Sequence, residues 1–134
     1  MVTAETKIRV RYGETDKMGF VYYGNYPLYF EVGRTNLIRN LGLTYKDIEN
    51  SGVLMPVHHL SINYIKPGKY DELLTIKTYL KELPEVRIKF DYEIFNEQNE
   101  LITTGETTLF FMNSKTMKPM KAPDVLLSVI SSYF

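Results

Sequence analysis

A chain of 134 residues is long enough to bury one core and short for two, and 44% apolar with 24% charged residues is globular composition that excludes disorder and collagen-like repeats. Sixteen Lys and Arg cancel sixteen Asp and Glu, so there is no long-range field to draw in nucleic acid or an anionic membrane. With no cysteine there is no disulfide framework, thiolate nucleophile or zinc ribbon, and the adjacent His58 and His59 leave little from which to build a metal site.

The polar start, Met1 to Lys7, lacks the apolar segment of a signal peptide, and no run approaches the ~20 apolar residues of a membrane span. One cytoplasmic domain over residues 1–134 is expected. Lys7 to Tyr12 alternate, with Ile8, Val10 and Tyr12 on one side, which is the period of a half-buried strand ending at Gly13. Glu14 to Asn25 has neither helical nor strand period, yet it is rich in aromatic and polar groups, as functional loops often are.

Asn25 or Tyr26 can cap a helix whose first turn accepts Pro27, and Glu31 suits its positive end. Tyr26, Tyr29, Phe30, Gly33, Leu37 and Leu41 recur at three- and four-residue steps as an apolar stripe, Arg34 and Arg39 suit the C-terminal half, and Gly42 ends the helix. From Tyr26 to Asn40 it spans about 22 Å, enough to cross a sheet. Gly33 on the buried face costs about 1 kcal/mol against alanine, which close approach to the sheet would explain. Thr44 and Asp47 have capping-box spacing, predicting a short helix over Tyr45–Asn50.

After Gly52 four strands are predicted. His58, Leu60, Ile62 and Tyr64 share one face of the first, with His59 on the other; Leu74 to Leu80 form the second, and Lys66-Pro67-Gly68-Lys69 marks a turn between them. Val86 to Ile94 alternate as the third, Leu101 to Met112 form the fourth, and Pro123 opens a C-terminal helix. One strand, one long helix and four strands on hairpin-like connections predict an α+β fold: a five-stranded antiparallel sheet with the helix on one face. One helix cannot cover both edges, so a homodimer or homotetramer is expected.

No glycine-rich phosphate loop, HExxH, GxSxG or CxxC is present, so chemistry falls to carboxylates and backbone. Asp16, taken by itself, reads better as a solvated turn residue than as a catalytic group. The segment RVRYGETDKMGFVYYGNYPLYFEVGR, supported by INYIKPGKYDELL, DYEIFNEQNELITTGETTLFF and KPMKAP, resembles the 4-hydroxybenzoyl-CoA thioesterase family of hot-dog proteins over nearly the whole chain. That resemblance implies a hot-dog fold, with the sheet wrapped around the central helix, and hydrolysis of an acyl-CoA or acyl-carrier thioester without a cofactor. It makes Asp16 the nucleophile or general base and puts the Tyr23 backbone N–H on the thioester carbonyl.

An aimed N–H is worth roughly 2.7–4 kcal/mol against an oxyanion and the helix dipole about 0.3–2, so the N–H should matter more. A large branch of the family carries histidine where this chain has Tyr23. A phenol with a pKa of about 10 cannot replace imidazole as a base, which leaves proton transfer to Asp16 and water. Tyr22, Asn25, Glu31, His58 and His59 are further candidates to line the substrate site. Each also has a plain structural reading: packing, helix cap, helix-end acid or interface histidine. Lys66, Arg87, Lys69, Lys89, Lys115 and Lys118 could meet the coenzyme A phosphates or be solvated charges. A non-catalytic acyl-thioester-binding module and a hydratase or dehydratase on the same fold remain alternatives.

Overall fold

In the computed structural model, which describes residues 1–134, the expected alternation builds strands β1 (Val2–Arg9), β3 (Val57–Tyr64), β4 (Leu73–Leu80), β5 (Arg87–Phe95) and β6 (Leu101–Phe110) into one antiparallel sheet ordered β1-β4-β5-β6-β3. Helices α1 (Tyr26–Asn40), α2 (Tyr45–Asn50) and α3 (Asp124–Ile130) follow the readings above, and the short strands β2 (Val53–Leu54) and β7 (Met112–Asn113) pair with each other. The last predicted strand therefore breaks at Phe111, which is fully buried. No helix is long and apolar enough to cross a membrane.

The inward set of β5, Ile88, Phe90, Tyr92 and Ile94, is buried, and α1 lays its stripe of Tyr26, Tyr29, Phe30, Gly33 and Leu37 against this face. Phe30 stacks on Tyr92 with ring centroids 4.2 Å apart and planes 7° from parallel. Two glycines permit this approach. A Cβ on Gly33 would lie 2.4 Å from Thr78 Oγ1, and one on Gly105 of β6 would lie 2.5 Å from the Phe30 ring. The Thr44–Asp47 capping box opens α2 as expected, with Asp47 N–H donating to Thr44 Oγ1 at 3.1 Å and Thr44 N–H to Asp47 Oδ2 at 3.0 Å.

Several expectations need correction. β1 runs from Val2 to Arg9 rather than Lys7 to Tyr12: between buried Val2 and half-buried Ile8 the inward positions are the small Ala4 and polar Thr6, which mask the alternation, and the chain leaves the sheet before a 3₁₀ turn at Tyr12–Glu14, leaving Tyr12 80% exposed. Arg34, placed by the sequence only in the C-terminal half of α1, turns inward. It is buried among aromatic rings, its Nε–H donating to Tyr45 Oη at 3.1 Å. Most consequentially, β3 and β4 do not form a hairpin; β5 and β6 lie between them. The connecting segment places its hydrogen bonds elsewhere, because Ile65 and Lys66 N–H donate to Ile102 O, Gly68 O accepts from Val21 N–H, and Tyr70 N–H donates to Gly19 O. The Lys66–Lys69 turn thus wraps the loop that carries Asp16 and ties it to the sheet.

Candidate functional site

The aromatic loop is a tight hairpin. Asp16 N–H donates to Phe20 O at 2.7 Å, Thr15 bridges Val21, and Tyr22 N–H donates to Glu14 O at 2.9 Å. The Asp16 carboxylate closes the bend, its Oδ1 accepting from the N–H groups of Met18 (2.9 Å) and Phe20 (3.2 Å), while Gly19 turns the chain at φ +80°. Such Asx bonds orient a carboxylate as well as building a turn. Oδ2 accepts no hydrogen bond, and Asp16 is half-buried in a cleft of about 420 Å³ lined also by Tyr12, Thr15, Lys17, Gly19 and Tyr70.

The second arm of the hairpin runs into a 3₁₀ turn over Tyr23–Asn25 and then α1. Tyr23 N–H donates to no protein acceptor. Its carbonyl is held from the other side by Tyr64 Oη of β3 at 3.0 Å, and the Tyr23 and Tyr64 rings meet edge to face. Tyr22 is exposed and packs on Tyr23 at 4.7 Å. Asn25 occupies the N-cap position without capping: its Nδ2 donates back to Glu14 O at 2.8 Å. The expected cap is therefore a tie between hairpin and helix.

The other sequence-derived candidates scatter. Glu31 lies in the second turn of α1, exposed and without a hydrogen bond, on the same outer surface as exposed Leu28 and Val32. His58 is the extra residue of a bulge between Val57 and His59, so the simple alternation of the two histidines breaks there. Its ring packs on the Phe110 ring at 4.3 Å, and the Arg87 guanidinium lies 5.1 Å from the centroid of Phe110. His59 Nε2 is 3.7 Å from Glu106. His58 and Tyr64 are six residue steps apart along β3, about 20 Å, so both histidines and Arg87 are at the far end of the sheet from Asp16. Lys66 is at the near end, paired with Glu100. Lys89 pairs with Glu106 at 3.0 Å.

Two groups emerge only from the structure. The Glu14 carboxylate, 16% exposed, accepts from Arg11 N–H (2.9 Å), Arg11 Nε (3.1 Å) and Tyr29 Oη (3.0 Å). Burial opposes its ionisation, but the Arg11 and Tyr29 hydrogen bonds outweigh burial and hold the carboxyl below its ordinary 4.5. Burial, with that carboxylate as acceptor, pushes the Tyr29 phenol well up, so it stays a donor. The second group is Tyr64, which looks like an ordinary strand residue until its partner is seen. A larger cleft of about 500 Å³ on the outer face of the sheet is lined by Tyr79, Lys81, Asp91, Glu93 and Glu106, among others, whose polar groups are largely satisfied by one another and by Lys89.

Residues 10–130 match the family described as the thioesterase-like superfamily. The chain is 37% identical over 121 residues to a putative acyl-CoA thioesterase, YneP, of Bacillus subtilis, covering 90% of this chain and 88% of the relative. It is 26% identical to the acyl-CoA thioester hydrolase YbgC of Escherichia coli, covering 90% of each. Among solved structures, a DHNA-CoA thioesterase from Staphylococcus aureus superposes with a TM-score of 0.91 at 41% identity, covering 99% of this chain and 89% of that one.

Proposed function

Since the chain belongs to the thioesterase-like superfamily, has the hot-dog fold and is a thioesterase, we propose that it hydrolyses a small or medium acyl-coenzyme A and that Asp16 carries the chemistry. The observation behind this reading is the hairpin: one carboxylate oxygen is fixed by two N–H groups and the other is free, on an arm hydrogen-bonded to the arm that ends in the unpaired Tyr23 N–H.

With the thioester carbonyl oxygen on that N–H, the carbonyl carbon gains positive character. Asp16 Oδ2 then either attacks it, giving an anhydride that water opens, or takes a proton from the attacking water. Either way the C–S bond breaks, the electron pair leaves on sulfur, and the acid and thiol are the products. Thiolate is a good leaving group, so neither a histidine base nor a cofactor is needed. Asp16→Asn is expected to keep the fold and lower kcat by at least ~10²-fold in a thiol-release assay against an acyl-CoA panel. Near-normal turnover in that variant would remove the mechanism.

The working unit is a homodimer built on β3. That strand bonds only to β6, leaves its other edge open, and exposes Val57, Leu60, Tyr64 and the adjoining Ile65. Two-fold antiparallel pairing of β3 with its copy would set the His58 and Arg87 end of one sheet beside the Tyr64 end of the other, bringing a cation toward the substrate phosphates.

A further inference from the structure

The hydrogen bonds of Glu14 divide between two jobs. Those to Arg11, three residues back, belong to the 3₁₀ turn. The others are long-range. Tyr29 Oη, fifteen residues on in α1, donates to Oε1 at 3.0 Å, while Tyr22 N–H and Asn25 Nδ2 both donate to the Glu14 carbonyl, at 2.9 and 2.8 Å. A carboxylate serving only a local turn has no reason to be buried to 16% exposure against a tyrosine that is itself 2% exposed.

The two groups assigned to the reaction flank this cluster. Asp16 lies two residues after Glu14, and Tyr23 follows Tyr22 directly. The Glu14 carbonyl fixes the opposing arm and the helix start, and the Glu14 carboxylate fixes both against the body of α1 through Tyr29. We propose that Glu14 is a positioning residue for thioester hydrolysis: its bond to Tyr29 locks the hairpin onto α1, the Arg11 bonds hold its carboxylate in place for that contact, and together they set the separation between the Asp16 carboxylate and the Tyr23 N–H. The inference rests on the roles proposed above for Asp16 and Tyr23. Reaction geometry tolerates little slack, since a misplacement of about 1 Å costs up to ~10²-fold in rate. Charge-assisted bonds hold such geometry better than neutral ones.

The test compares Glu14→Gln, Tyr29→Phe, their double variant and Asp16→Asn by thiol release from the best substrate of an acyl-CoA panel, with thermal unfolding alongside. Tyr29→Phe keeps the buried ring and deletes only the hydroxyl. Expected are a kcat lowered ~10–10²-fold in Glu14→Gln and ~3–10-fold in Tyr29→Phe, KM changed less than about 3-fold in both, and a double variant no slower than about the worse single. A merely structural Glu14 would lower the unfolding temperature and leave kcat of the folded fraction unchanged; that result, or normal kcat in folded Tyr29→Phe, overturns the proposal. Should Glu14→Gln fail to fold, Tyr29→Phe decides alone. Wild-type turnover in Asp16→Asn would overturn the Asp16 mechanism and this inference with it, whereas an inactive Asp16→Asn beside a fully active Glu14→Gln would overturn only the inference.

Discussion

Tyr64 Oη and the Tyr23 carbonyl are joined by one hydrogen bond between exposed side chain and backbone, a bond worth about 0.5–1.5 kcal/mol to stability. On the proposed mechanism its weight in the reaction exceeds that, because the carbonyl belongs to the residue whose N–H is assigned to the thioester carbonyl. Tyr64→Phe should keep the unfolding temperature within a few degrees and lower kcat by ~3–10-fold, read by steady-state kinetics on the same acyl-CoA. Glu14 sets a pH signature. Its folded-state pKa lies below 4.5, so its contribution is fully present above that value and is lost as pH falls through the folded pKa. Only Arg11 and Tyr29 face its carboxylate. The unfolding temperature of the wild type should therefore drop more steeply than that of Glu14→Gln as the pH is lowered from about 5 to 3. Equal slopes would mean that the clamp does not contribute.

The α1–sheet contact depends on missing side chains as much as on present ones. Gly33→Ala gains about 1 kcal/mol in helix propensity, yet its Cβ would lie 2.4 Å from Thr78 Oγ1 and 3.0 Å from Ile76 Cγ2. Overpacking of that kind costs about 1–3 kcal/mol, so a lower unfolding temperature is expected despite the better helix former. This part of the molecule was legible in the sequence because the stripe repeats at helical period, and because a glycine on the buried side of a helix signals backbone brought close to its neighbour. The boundaries of α1, the capping box of α2 and the alternation of β5 were legible for the same reason: each is a local pattern. What escaped was non-local. No spacing discloses that Arg34 folds inward to Tyr45, that Asn25 turns back to Glu14 instead of capping, or that β3 lies beside β6. The Lys66–Lys69 turn was found, but its hydrogen bonds go to the hairpin and β6. At the site Asp16 and Tyr23 came through resemblance, whereas Glu14 and Tyr64 become visible only when their distant partners are known.

At the scale of the whole molecule the two sheet edges differ. α1 packs across β1 and β4, while β3 offers an open ladder flanked by exposed apolar groups. Leu60 is close to the centre of that strand, where a two-fold pairing would place it near its own copy. Leu60→Lys is therefore expected to convert a dimer to a monomer in analytical ultracentrifugation, with the monomer retaining its circular dichroism. A dimer unaffected by the lysine would move the interface elsewhere. The edge also carries Tyr64, whose hydroxyl braces the turn at Tyr23 and so adjoins the proposed site. An enzyme arranged in this way should lose specific activity on dilution, more than in proportion to the protein removed, and regain it on concentration. A progress curve recorded across a thousandfold range of enzyme would make that visible, since on the proposed pairing each solitary subunit keeps its carboxylate but lacks the partner's cation for the substrate phosphates.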